Sequence, residues 1–160
     1  MEATALRGLT MAFNSSVLTA TGAETLHDST VAMNFCIDGK VYQKSGTNAN
    51  QVTPTTDHST GADFKTLSAS KGCVMVWCYN ASGTVKVVQG EVTDLAADGS
   101  FVVAPEFPLI PNDVCPFAYQ ILKAGSTAGT ITFGTSNWNA TGFTNAIVNI
   151  AALPSRPQVA

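Results

Sequence analysis

Pro105, Pro108, Pro111 and Pro116 interrupt the stretch Ala104 to Pro116, and they limit what the chain can build around it. Proline fixes φ and has no N–H to give to a ladder, so these positions do not suit a paired central strand. Phe107, Leu109 and Ile110, lying between the prolines, are too apolar for a free linker. The segment therefore predicts a stiff, packed crossover between two parts of a β-rich domain. A β-meander runs into it, and the strand-like Phe117 to Lys123 runs out.

Hydrophobic alternation supplies the strands on either side. Val31, Met33, Phe35 and Ile37 alternate with smaller or polar residues, the period of a half-buried strand. Asp38-Gly39 is a favoured two-residue hairpin turn, and Lys40 to Lys44 returns. Ser45 to Ser70 is polar and turn-rich, and reads as a long loop with Phe64 and Leu67 near its end. Cys73 to Tyr79 is apolar at every position, as expected of a strand covered on both faces. Thr84 to Val92 follows, with a change of face near Gly90 that suggests a bulge or bend. Asp98-Gly99 then turns into a third meander strand, Ser100 to Ala104. Met75, Trp77, Val85, Val87, Phe101 and Val103 are expected to share one core. Beyond the prolines, Phe117 to Lys123, Thr130 to Phe133 and Phe143 to Ala152 read as strands, and Pro154 and Pro157 as part of a tail.

Roughly eight short strands at such spacing give an all-β fold: a β-sandwich, jelly roll or related barrel. Residues 29–160 form its single β-rich domain. Residues 1–28 carry no clear period and are expected to be an N-terminal arm. Leu6, Leu9, Met11, Phe13, Val17 and Leu18 would supply its apolar contacts to another chain, with β-augmentation as one mode. A terminal strand or helix docked on the same body is the competing reading.

Charge and cysteine content narrow the function. Only 12% of residues are charged and the formal net charge is −3, with the basic residues scattered. Nucleic-acid binding needs a basic footprint, so direct DNA or RNA binding is not expected. A charge-poor surface favours association, and a homo-oligomer is expected. No apolar run is long enough to span a bilayer, and no secretory signal is seen. Cys36, Cys73, Cys78 and Cys115 lack metal-ligand spacing, and Cys73 and Cys78 fall on opposite faces of one strand. All four are expected to be buried free thiols. No cofactor or metal is expected.

Chemistry-bearing residues are sparse. His27-Asp28 and Asp57-His58 are the histidine–carboxylate neighbours, both in loop-like sequence, and both histidines are expected at the surface. Glu91 and Asp94 flank a strand end, with nothing to set a catalytic separation. Trp138, between Asn137 and Asn139, reads as an aromatic anchoring its own loop or as a sugar-binding platform.

Lys71-Gly72-Cys73-Val74-Met75-Val76-Trp77, Gly83 to Gly90, and Pro111 to Gly125 resemble small β-rich virion proteins encoded beside the major capsid protein of tailed bacteriophages. The likeness covers roughly residues 70 to 160 and is strongest to head decoration, or cement, proteins. It implies a non-enzymatic protein on the capsid exterior, assembled in the host cytoplasm, that clamps neighbouring subunits of the major capsid protein. The alternatives are a tail or head-fibre adhesin that binds a host glycan, and a small β-barrel hydrolase.

Overall fold

A computed structural model describes residues 9–20, 22, 25–46 and 48–158. These residues form an all-β molecule of three sheets, with no helix and no closed barrel among them. The strands are β1 (Met11–Ala12), β2 (Leu18–Thr19), β3 (Leu26–Ser29), β4 (Met33–Ile37), β5 (Lys40–Lys44), β6 (Asn48–Val52), β7 (Lys71–Asn80), β8 (Val85–Gln89), β9 (Thr93–Asp94), β10 (Val114–Ala124) and β11 (Phe143–Asn149). The largest sheet runs β11-β10-β7-β8, with β9 on the end of β7. Two small sheets, β1-β4-β5 and β2-β3-β6, complete the set, and all pairings are antiparallel.

The hairpin at Asp38-Gly39 forms as its sequence dictates. Both turn residues take positive φ, 48° and 77°, the requirement of the tight turn that matches strand twist. β7, apolar from Cys73 to Tyr79, is the central strand and is buried on both faces over that run. Cys73, Met75, Trp77 and Tyr79 point into the main core, with Phe35, Leu18, Phe64, Phe117, Phe133 and Trp138. Val74, Val76 and Cys78 point the other way, into a second cluster with Val114, Tyr119, Ile121 and Ile150.

β10 carries a correction. It begins at Val114 and takes Pro116 into a paired strand, opposite Cys78. Two features make this tolerable: pairing with β11 begins only at Ala118, and the ladder with β7 is broken by a bulge between Pro116 and Ala118. Phe117 is the extra residue. Phe117 and Ala118 therefore both enter the main core, and the Phe117 ring stacks on Tyr79 at 4.1 Å.

The proline segment is a strap across the second face. Phe107, Ile110 and Phe101 pack on the Val76–Tyr119 cluster, and Phe107 meets the Tyr119 ring edge-on at 5.1 Å. Gly90 lies tight against β7 beneath the strap: a Cβ there would be 2.9 Å from the Val74 carbonyl, and an ordinary 3.5 Å from Pro108 Cδ. Residues 100–104 do not form the expected third meander strand. β9 takes the place beside β7, and Phe101 makes only a single bridge, to Leu95. Phe101 consequently serves the second face and Val103 is exposed, while Met75, Trp77 and Val87 share the main core with Val85 packed against it. Thr130 to Phe133 likewise reduces to a bridge between Leu67 and Ile131. Part of the expected 45–70 loop is strand β6. The tail is not loose either: Leu153 packs on the second cluster, and the Gln158 N–H donates to the Tyr119 hydroxyl at 3.1 Å.

The expected arm boundary at residue 28 falls inside β3. Within residues 9–28 the described chain pairs with its own body, β1 with β4 and β2 with β3, and the Gly39 N–H donates to the Leu9 carbonyl. Leu18, expected at an interface with another chain, is instead buried in the main core because β2 turns it inward. Leu9 and Met11 are half-buried, Phe13 and Val17 are exposed, and Leu6 lies outside the described residues.

Candidate functional site

The residues with reactive potential sit in two places: a buried polar cluster and an open groove. His27 belongs to the first. Contrary to the surface placement expected for it, it is 2% exposed, because the alternation of β3 turns His27 and Ser29 inward and Leu26 and Asp28 outward. Its ring lies 5.0 Å from that of Trp77, and Nδ1 is 3.4 Å from the Thr53 hydroxyl. Burial lowers its pKa from 6.5 to about 4, against an opposing pull from Asp28 and with a further push from Lys44. His27 is therefore a neutral core group.

Lys44 lies nearby and is also buried. Its ammonium donates to the Ser29 carbonyl at 3.2 Å, the Ser29 hydroxyl at 3.0 Å and the Gly46 carbonyl at 2.8 Å. Burial lowers its pKa. Three oxygens replace its water shell, and the residue ties the end of β5 to β3 in the neighbouring small sheet. Sequence reading passed over Lys44, although it shares the face of Tyr42 in the alternation of β5.

The groove lies along the β8 end of the large sheet, with a volume of about 1060 Å³. Its floor is Gln89-Gly90-Glu91, one wall is the Asp57–Lys65 turn, and the other is Pro108 to Asn112 of the strap. Asp57 organises the turn. Its carboxylate accepts bonds from the Ser59 N–H and hydroxyl, the Thr60 hydroxyl and the Gln89 N–H. The His58 N–H donates to the Val87 carbonyl, so the turn caps the outer edge of β8. The His58 ring then reaches Asp113 at 3.1 Å and clamps the turn to the end of the strap.

The expected His–carboxylate neighbours are thus rearranged. His58 pairs with Asp113 rather than with Asp57, and no hydroxyl or thiol is bonded to its ring among the described residues. Asp94 is taken up by Lys71 at 2.6 Å. Glu91 is exposed at the groove floor. Trp138 is buried as the anchor of its own loop, donating from Nε1 to the Leu26 carbonyl at 2.7 Å and meeting Phe133 edge-on. The four cysteines are free and buried, with Cys73 and Cys78 on opposite faces as their spacing requires. Desolvation raises the Cys73 and Cys115 thiols to about 12 and the Cys78 thiol well above its ordinary range, so they remain protonated at neutral pH.

The exposed apolar side chains form a third feature. The strap is two-sided: Phe101, Phe107 and Ile110 turn to the sheet, while Val102, Val103 and Leu109 turn outward. Leu109 is 91% exposed at the groove rim, one residue from Pro108 and two from Pro111. No helix among the described residues is long and apolar enough to cross a membrane. Comparison of the chain with protein-family models, with curated proteins and with solved structures finds no match.

Proposed function

We propose that this protein is a non-enzymatic virion structural protein that decorates a bacteriophage head and bridges subunits of the major capsid protein from outside. The observation that carries the reading is Leu109, displayed almost wholly to solvent on a proline-stiffened strap. A large side chain held in place by rigid backbone loses little conformational freedom on docking, which favours its use as an anchor. The segments that resemble decoration proteins include β7, β8 and β10, and the strap is seated on β7 and β10. Phe13 and Val17, from the expected interface set, would add a second apolar contact. The body is read as a sandwich, the large sheet forming one layer and the two small sheets the other.

The groove favours one alternative, an adhesin that takes a host glycan, because Asp63, Glu91 and Asn112 present polar groups in a concave space. The test is co-sedimentation of purified protein with heads built from the capsid protein encoded beside it. Decoration predicts saturation at a lattice-defined stoichiometry, lost in Leu109→Asp and kept in Glu91→Gln. Absence of head binding, or binding indifferent to Leu109→Asp, would overturn the reading. Binding to host-cell glycans lost in Glu91→Gln would establish the alternative.

A further inference from the structure

The groove is a slot at the edge of the large sheet, set between its two covers. The Asp57 turn stands on the main-core side, where the Gln89 side-chain amide exchanges bonds with the Lys65 backbone. The strap stands on the other side, with Phe107 and Ile110 on the second cluster. A volume of about 1060 Å³ puts the slot at the top of the range for ligand sites, roughly 300–1,000 Å³.

Backbone groups line its floor and one wall. The Gly90 N–H donates to the Val74 carbonyl, on the register that sets Gln89 opposite Met75. Gln89 therefore turns its own N–H and C=O away from β7. The Asp57 carboxylate takes the N–H, and the C=O has no partner among the described residues. On the strap, Leu109 and Ile110 make no backbone hydrogen bond among the described residues. Pro111 biases Ile110 towards extended backbone. Floor and wall thus offer main-chain groups to a chain laid along the slot.

Charge and lining select the kind of chain. Asp63 and Glu91 are exposed, and neither is taken up by an ion pair among the described residues. Lys65 is the one base among the described lining residues, so the slot favours a cation. Polar groups alone would suit a sugar as well. No aromatic ring lines the slot among the described residues, however, so a sugar has no face to stack on. Ala62, Pro108, Leu109 and Pro111 suit aliphatic side chains instead.

We propose that the groove binds an extended peptide segment of a partner protein, one that carries lysine or arginine. Its backbone bonds to the Gln89 carbonyl and to Leu109 and Ile110 of the strap. Its basic side chain lies towards Asp63 and Glu91, and its aliphatic ones rest on Pro108 and Pro111. Head docking is expected to survive Glu91→Gln, so the proposal does not depend on the capsid reading.

The probe is a soluble library of end-capped random heptapeptides passed over the immobilised full chain, with retained sequences read by mass spectrometry. They should be enriched in Lys and Arg and depleted in Asp and Glu. Asp63→Asn combined with Glu91→Gln should weaken the best binder about fivefold, as expected for two exposed charge pairs. Ala62→Trp, at an exposed position of the lining, should block binding at an unchanged melting temperature. Titrating the unaltered chain with that peptide should move the amide resonances of residues 89–91 and 109–112 most. No retained peptide, an acidic or neutral selection, binding indifferent to Ala62→Trp, or shifts centred elsewhere would overturn the proposal. So would a neutral dextran oligosaccharide that moves these resonances when no peptide does, an outcome that gives the groove to a glycan. Failure of head binding with peptide binding retained would strike the capsid reading alone.

Discussion

The two faces of the large sheet are made by the same strands and covered in opposite ways. On one face Trp77, Tyr79, Met75 and Phe117 meet rings and strands from the small sheets, together with Phe133 and Trp138 from the loops. On the other, Val74, Val76, Tyr119 and Ile121 are covered by the strap and by the segment that follows β11. The first cover is made by hydrogen-bonded strands and aromatic contacts. The second has little ladder of its own and relies on proline to restrict the chain before it docks, which lowers the entropy lost on folding. Large aromatic rings suit the first because interlocking edges fix their positions. The second face offers mainly aliphatic side chains from the sheet, with Tyr119 as the ring that Phe107 of the strap meets edge-on. Gly90 sits where the two meet: a Cβ there would press on the Val74 carbonyl of β7 at 2.9 Å, with Glu106 O and Pro108 Cδ of the strap at 3.4 and 3.5 Å.

The contrast predicts a ranked set of responses. Trp77→Ala should be the most damaging change, costing about 3–5 kcal/mol in denaturant unfolding. It opens a void beside His27 and Phe133 and removes the bond from Nε1 to Gln120 Oε1. A cost no greater than that of a surface substitution would show that this core is not the keystone of the fold.

Acid should act on the same face. The His27 pKa falls from 6.5 to about 4 on folding, so between those values the unfolded chain binds the extra proton. Stability from this group is then complete above pH 6.5, declines as pH falls through the window, and is exhausted below about 4; the difference is about 3 kcal/mol. His27→Phe should flatten this part of the stability–pH curve. An unchanged slope in that variant would mean that another group sets it.

Phe107→Ala tests the strap. Phe107 is half-buried, so the loss should be about 1–2 kcal/mol, smaller than at Trp77. Amide exchange should quicken in residues 101–113 more than in β4 and β5. Uniform quickening would show that the two covers unfold as one unit. The smallest effect belongs to redox. With four free thiols, all buried, a reducing agent should leave the melting temperature unchanged, and a fall would reveal a bridge.

The sequence by itself determined the strand class, the Asp38-Gly39 hairpin, the doubly buried β7 and the packed nature of the proline segment. Each rests on local rules: side-chain period, the φ that a turn demands, and the donor that proline lacks. Tertiary structure alone decided which surface the inward side chains found. Ser100 to Ala104 has strand-like residues, yet Thr93–Asp94 occupies the pairing position beside β7, so Val102 and Val103 are left outside. His27 and Lys44 look like surface residues, yet alternation in β3 and β5 carries them inward to Thr53, Ser29 and Gly46. The groove was equally illegible, because its walls are far apart in the chain and are joined by the His58–Asp113 clamp. Period and propensity act between neighbours in sequence; burial, and the pKa shifts that follow from it, depend on partners the chain finds only by folding.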